Sequence, residues 1–233
     1  MSKNIWEKRY LEKDRIAKYP FDQIVSMVMR HFSSVQDRSA IRILDYGSGG
    51  GNNFWFLVRE RFDAYACDIS SAAINLTSRR LIEEGFNLPE KHFVVIDERG
   101  SMPYPDNFFS AIVDRESLCQ SSWIDIKERV KEFSRILSPG GFYLGINFSC
   151  NHPGIKKADY QGNGDWNNFQ TGLFKNQGSR HLFSVNEIQE LFADWNIEFL
   201  VEKNFNCLIG NSEDIETSEF IISAQILKKS GDL

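Results

Sequence analysis

Three short apolar runs, each ending in a carboxylate, constrain the fold of this chain most tightly: residues 41–45 (IRILD), 64–68 (AYACD) and 93–97 (FVVID). Apolar runs of this length read as strands buried on both faces. Helical patterns fill the gaps. Residues 52–61 (NNFWFLVRER) follow a glycine-rich turn, and 71–84 (SAAINLTSRRLIEE) open on Ser70 or Ser71 as N-cap and close at Gly85. Strands alternating with helices build a parallel sheet with helices packed on it. The pattern continues through a turn at Pro105, Asp106 and Asn107, a strand at 109–114, a helix at 124–137, a turn at Ser138–Gly141 and a fifth strand at 142–148. The chain is therefore α/β and doubly wound.

The remainder is less periodic. Residues 149–180 are rich in Gly, Asn, Asp and Gln and exceed the length of an ordinary connection, which marks an acceptor-side functional loop. Ser184 and Glu187 have the spacing of a capping box ahead of a helix at 185–195, and strands at 197–203 and 219–227 have the alternation of a hairpin. At the other end, 21–32 is amphipathic, with Phe21, Ile24, Val25, Val28 and Met29 on one face. With 233 residues and no linker or repeat, the chain reads as a single domain: an N-terminal helical lid (1–40), a binding core (41–148), the loop (149–180) and a C-terminal helix and hairpin (181–233).

Composition excludes several classes of function. A net charge of −5 argues against affinity built on neutralising phosphates, so nucleic acid is not expected as a partner. The charged start MSKNIWEKRYLEKDR lacks the apolar stretch of a secretory signal, and no window reaches the ~20 apolar residues that span a bilayer. Four scattered cysteines, at 67, 119, 150 and 207, show neither a disulfide framework nor zinc spacing. A cytoplasmic protein, monomeric or homodimeric, with no resident metal and no membrane partner is the resulting expectation.

The segment ILDYGSGGGNNFWFL places a strand, Asp45, then Gly47, Gly49, Gly50 and Gly51 ahead of a helix, and Asp68 ends the next strand. Such glycines let backbone approach a ligand, and an acid ending the second strand suits the two hydroxyls of a ribose. A dinucleotide fingerprint fails at its third glycine, which falls on Asn52 or Phe54. A phosphate-cradling loop needs Lys and Ser or Thr where Asn52 and Asn53 stand. Asp45 would repel a pyrophosphate but can pair with the ammonium of an amino acid. Adenosine joined to an amino acid satisfies all of these features.

At these residues the chain resembles the class I S-adenosylmethionine-dependent methyltransferases, in their type 11/25-like, small-molecule group. Their first motif appears as DYGSGGG, and Asp68 stands as their ribose-binding acid. SMPYPDNFFSAIVDRESL resembles the segment leading into strand four, and RILSPGGFYLGIN the helix, turn and fifth strand. The resemblance implies a Rossmann-like, doubly wound, seven-stranded and mostly parallel sheet with an antiparallel last strand and helices on both faces. It implies S-adenosyl-L-methionine as cofactor and S-adenosyl-L-homocysteine as product. Carried onto this sequence, it puts the methionine moiety against Asp45, Gly47, Gly49 and Gly51, the ribose on Asp68 and the adenine beside Ile69. Either Asp97 or Glu98, the latter favoured by register, would accept from the adenine amino group, and the backbone N–H of Arg99 would meet a ring nitrogen.

Methyl transfer from a sulfonium asks the protein mainly to align acceptor, methyl and sulfur. A hydroxyl acceptor also benefits from a general base, expected above the C-terminal ends of the strands. Asp114 and Glu116, and His152 for its pKa, are the catalytic candidates; Asp159 with Tyr160 and Asp165 with Trp166 are further ones, and His181 is read as structural or acceptor-binding. WEKRY, the Tyr19-Pro20-Phe21-Asp22 step and GGGNNFWFL resemble bacterial enzymes of cell-surface sugar pathways. A small-molecule acceptor, first a sugar or sugar nucleotide methylated on oxygen or nitrogen, is the resulting expectation. A protein methyltransferase, an NAD(P)-dependent oxidoreductase and a non-catalytic cofactor-binding subunit are the alternatives.

Overall fold

The computed structural model describes residues 3–12, 16–210 and 216–227. Two helices, α1 (Lys3–Leu11) and α2 (Asp22–Phe32), precede the first strand. Then β1 (Arg42–Tyr46), α3 (Asn52–Arg59), β2 (Asp63–Asp68), α4 (Ser71–Glu83) and β3 (Phe93–Val95) alternate. They are followed by β4 (Phe109–Arg115), α5 (Trp123–Ile136) and β5 (Leu137–Phe148). The chain continues through β6 (Asp159–Gly162), β7 (Asp165–Asn167), β8 (Arg180–His181), α6 (Val185–Leu191), β9 (Trp195–Phe205) and β10 (Thr217–Ile226).

Seven strands form one sheet in the order β3-β2-β1-β4-β5-β10-β9. β1 to β5 are mutually parallel, while β10 runs antiparallel to both of its neighbours, β5 and β9. This is the Rossmann-like sheet with an antiparallel last strand that the resemblance implies. The chain winds outward from β1 to β3 and returns to place β4 on the other side of β1. A crevice therefore opens at the carboxyl ends of β1 and β4, where open α/β sheets bind ligands.

Alternation along the strands divides the core between two faces. Ile43, Ala64, Ala111 and Val113 pack with Ile24, Val28 and Phe32 of α2 and with Phe54 and Leu57 of α3. Leu44, Tyr65, Cys67 and Ile112 face the other way, onto Val130, Phe133 and Ile136 of α5. Both faces of the central strands are thus dry, as their unbroken apolar runs require. Ser70 caps α4 by accepting from the Ala73 N–H at 3.1 Å, and the Ser184 and Glu187 capping box opens α6.

Several boundaries differ from the sequence reading. α6 ends at Leu191 rather than at 195, because Trp195 already begins β9. β5 begins at Leu137, before the Pro139-Gly140-Gly141 step, with a register shift against β4 between Phe109 and Ala111. Gly141 allows that bulge: a Cβ there would stand 2.9 Å from the Ser138 carbonyl oxygen. Residues 149–180 are more ordered than their composition suggests, since β6, β7 and β8 form a small antiparallel sheet. Of the N-terminal 40 residues, α2 is part of the core, whereas α1 packs against α4.

Candidate functional site

The backbone after β1 turns back on itself through Gly47, Gly49 and Gly51, all at positive φ (67°, 54° and 75°). Gly49 shows why glycine is needed: besides its φ, a Cβ would lie 2.5 Å from the Tyr10 hydroxyl of α1. Neighbouring elements hold the turn in place. Thr77 of α4 donates to the Gly49 carbonyl at 3.0 Å, Ser117 beyond β4 donates to the Gly47 carbonyl at 3.2 Å, and the Ser48 N–H donates to the Cys67 carbonyl at 2.9 Å.

Asp68 sits at the end of β2 facing this turn. One carboxylate oxygen accepts from the Gly49 N–H at 3.0 Å and the other from the Ser70 N–H at 2.9 Å. Burial raises its pKa to about 6 against the pull of those hydrogen bonds. Asp45, one strand over, is buried more completely, and its pKa is pushed up to about 8 by desolvation. Its Oδ2 has no hydrogen-bond partner in the fold, and neither has the nearby Ser48 hydroxyl. Neither Asp45 nor Gly51 is part of the wall of the cavity that opens from this turn.

A cavity of about 450 Å³ opens from the turn. Its wall at the turn includes Gly47, Gly49, Asp68, Ile69, Ile96 and Glu98. Its other end lies over β4 and β5, against Arg115, Glu116, Phe148, Phe174 and Arg180, and Trp6, Arg9 and Tyr10 of α1 roof it. α1 is fastened there by Glu7, which accepts from Ser70 Oγ at 2.7 Å, Ser71 Oγ at 2.9 Å and the Ala72 N–H at 3.2 Å, and so covers the start of α4. The connection from α1 to α2 is fastened to α3: Asn52 Nδ2 donates to the Tyr19 carbonyl at 3.0 Å, and the Phe21 N–H donates to Asn53 Oδ1 at 3.1 Å. The two asparagines that stand in place of a phosphate loop's Lys and Ser anchor this strap.

The remaining sequence candidates separate clearly. Glu98 lines the cavity, whereas Asp97 is exposed and does not. Arg99 also lines it, its side chain paired with Asp125 at 2.8 Å. Glu116 is the catalytic candidate that reaches the cavity, in a left-handed backbone conformation (φ 59°) that ends β4, with its carboxylate paired to Arg115. Asp114 is turned inward and accepts four hydrogen bonds, from Tyr143 Oη (2.7 Å), Asn147 Nδ2 (2.9 Å) and the N–H groups of Ser117 (2.9 Å) and Leu118 (3.3 Å).

His152, 2% exposed, does not line the cavity. Its Nδ1 accepts from the Gly154 N–H at 3.0 Å, its ring stacks on Phe174 at 4.1 Å, and burial beside Arg180 drives its pKa down to about 4. His181 is likewise internal, stacked on Trp123 at 5.0 Å and bonded to Asp165 at 2.9 Å. Asp159 and Tyr160 are exposed on the small sheet, away from the cavity. Sequence reasoning placed Arg115 beside Glu116 and read the N-terminal segment as a lid, but it did not single out Arg180, Phe148, Phe174 or, within WEKRY, the side chains of Trp6, Arg9 and Tyr10 as cavity residues. Each of these enters the cavity only through tertiary placement.

Residues 43–141 match the family model described as a methyltransferase domain. Over these residues the chain carries a methyltransferase domain similar to those of the S-adenosylmethionine-dependent methyltransferases, whose cofactor is S-adenosylmethionine. Over 115 residues it is 30% identical to the ubiquinone/menaquinone biosynthesis C-methyltransferase UbiE of Vibrio cholerae, a match covering 48% of this chain and 43% of that protein. The chain thus spans about half the length, or less, of the curated relatives it matches. Among solved structures, a SAM-dependent methyltransferase from Methanosarcina mazei superposes with a TM-score of 0.70 at 22% identity, over 91% of this chain and all (100%) of that one. The Burkholderia thailandensis 1,6-didemethyltoxoflavin-N1-methyltransferase, crystallised with 1,6-didemethyltoxoflavin and S-adenosylhomocysteine, superposes at 0.69 and 12% identity, over 97% of this chain and 87% of that one. Likeness at these identities shows the shared fold. No helix among the described residues is long and apolar enough to cross a membrane, and no group of His, Cys, Asp or Glu among them is arranged to hold a metal.

Proposed function

We propose that the protein transfers a methyl group from S-adenosylmethionine to an oxygen or nitrogen of a small polar acceptor. The observation that carries this reading is a continuous cavity lined both by the glycine turn and Asp68 and by residues at the ends of β4 and β5, which offers adjoining room for donor and acceptor. In this reading Gly47 and Gly49 of the turn receive the amino-acid end of the cofactor, while Asp45 and Gly51, which are not part of the cavity wall, act from behind the turn. Asp68 accepts from the ribose hydroxyls, Ile69 packs on the adenine, and Glu98 rather than Asp97 accepts from the adenine amino group, with the Arg99 N–H beside it. The cofactor supplies an activated methyl on a positively charged sulfur.

The protein's own contribution is alignment and exclusion of water, by the α1 roof and the apolar wall of Phe148 and Phe174. Where the acceptor is a hydroxyl, Glu116 takes its proton in this reading, a role supported by its lining the cavity at the end of β4. Asp114 acts on the site indirectly, by fixing the corner at which Glu116 and Ser117 leave β4. Nothing comparable favours His152, which is turned away from the cavity. The aromatic and carboxylate residues that suggested a sugar, Tyr160, Trp166 and Asp159, lie outside the cavity, so a sugar acceptor rests on the sequence resemblance alone. The relatives named above act on carbon and on nitrogen by their names.

The test is to incubate the full chain with methyl-labelled S-adenosylmethionine and separate low-molecular-weight, protein and RNA fractions of a bacterial extract. Label transfer into the small-molecule fraction, abolished by Asp68→Ala, is the expected result. Transfer into protein or RNA alone would contradict the acceptor class.

A further inference from the structure

The cavity wall carries charge of both signs, Glu116 and Glu219 as well as Arg115 and Arg180 lying on it. Arg115, whose buried Nε has no acceptor, forms ion pairs with Glu116 and with Glu219 at 3.3 Å, and Arg129 donates to the carbonyls of Asp97 at 3.0 Å, Glu98 at 3.1 Å and Gly100 at 3.3 Å.

Arg180 differs. It is 3% exposed, yet no ion pair joins it to a carboxylate among the described residues. Its Nη2 donates to the Gln177 amide oxygen, its buried Nε has no acceptor, and its guanidinium lies over the rings of Phe174 (4.5 Å) and Phe148 (5.7 Å). Burial lowers its pKa to about 10, with Arg9 pushing in the same direction, so it stays cationic at neutral pH. The placement is firm: Arg180 pairs with Trp166 across β7 and β8, and the adjoining His181 is fixed by Asp165 and Trp123. Removing a guanidinium from water without a matched anion is costly, and a planar fork of donors suits carboxylate and phosphate oxygens. Glu116 and Glu219 do not meet this need, since both lie on Arg115.

We propose, building on the methyltransferase reading above, that the acceptor carries an oxyanion, a carboxylate or phosphate, and that Arg180 binds this group where it lines the cavity over Phe148 and Phe174. Arg180 is thereby a specificity-determining residue, with the Gln177 amide beside it and Phe148 and Phe174 excluding water from the pair. A neutral sugar lacks the group this position selects, whereas a sugar nucleotide or an acidic metabolite has it.

The experiment is a titration of the ¹⁵N-labelled full chain with acetate and with inorganic phosphate, ionic strength held constant with chloride, in the presence and absence of S-adenosylhomocysteine. The readout is the Arg180 Nε–H resonance together with its exchange protection. A saturable shift with one or both oxyanions, and little with chloride, is expected; the preferred anion identifies whether the acceptor bears a carboxylate or a phosphate. Arg180→Gln should weaken that oxyanion at least tenfold, and Arg180→Lys by less, while both bind S-adenosylhomocysteine like the wild type. Absence of a saturable shift in the wild type, or equal oxyanion affinity in folded Arg180→Gln, overturns the proposal. Failure of S-adenosylhomocysteine to bind the wild type would instead contradict the methyltransferase reading, because the oxyanion titration is read separately.

Discussion

Asp45 and His152 are both buried ionisable residues, and burial shifts them in opposite pH directions. Asp45 titrates near 8 in the folded protein, against about 4 in an unfolded chain, so between those values the fold holds a proton that the unfolded chain has released. Stability of the ligand-free protein through Asp45 therefore falls as pH rises across that window. Asp45→Asn should remove this slope and raise stability at pH 8 by roughly 1–3 kcal/mol, while weakening S-adenosylhomocysteine. Urea unfolding at pH 5 and pH 8 measures it, and an unchanged slope in the variant would contradict the assignment. His152 titrates near 4 when folded and about 6.5 when unfolded, so its contribution is complete above 6.5 and is lost as pH falls toward 4. His152→Ala should cost about 1–3 kcal/mol, through the lost cap on Gly154 and the lost stacking on Phe174, yet leave S-adenosylhomocysteine affinity within twofold of wild type. A large loss of cofactor affinity with the fold intact would return His152 to the site. A histidine in a polar stretch of sequence looked available for proton transfer; what removes it is a fold of residues 149–180 that the local sequence does not encode.

Elements whose reasons are local were legible before any coordinates. β1, β2 and their acids, the Ser184 capping box of α6 and the N-cap of α4 follow from spacing that acts within a few residues. The elements that were missed depend on partners far along the chain. β8 is two residues long and exists because β7 is beside it, and α1, with no buried face of its own, is held by Glu7 on Ser70 and Ser71 of α4. α1 supplies Trp6, Arg9 and Tyr10 to the cavity, so its attachment matters for binding. Glu7→Ala should weaken S-adenosylhomocysteine several-fold and speed hydrogen exchange in α1, with the midpoint of global unfolding moved little. Full affinity in the variant would show that the roof is not needed for cofactor binding. The hydrogen bonds from Ser70 and Ser71 hold the Glu7 carboxyl below its ordinary range. The attachment therefore weakens as pH falls through that range.

At the scale of the whole molecule, the order β3-β2-β1-β4-β5-β10-β9 creates one reversal point, and the glycine turn, Asp68, Glu98 and Glu116 converge there from four separate segments. Sequence spacing made the cofactor end readable because its motifs are contiguous: a strand, an acid, glycines and a helix. The other side of the cavity was less readable, since Arg115, Phe148 and Arg180 come together only across β4, β5 and β8. The central claim is that this convergence binds S-adenosylmethionine with Asp68 on its ribose. Calorimetric titration of the full chain with S-adenosylhomocysteine, beside Asp68→Ala and NADH, tests it most directly. The account predicts one saturable site for the wild type, weakened at least roughly tenfold in a folded Asp68→Ala by loss of charge-assisted hydrogen bonds, and no saturation with NADH. Equal affinity in Asp68→Ala, or saturable NADH binding without S-adenosylhomocysteine binding, would contradict it.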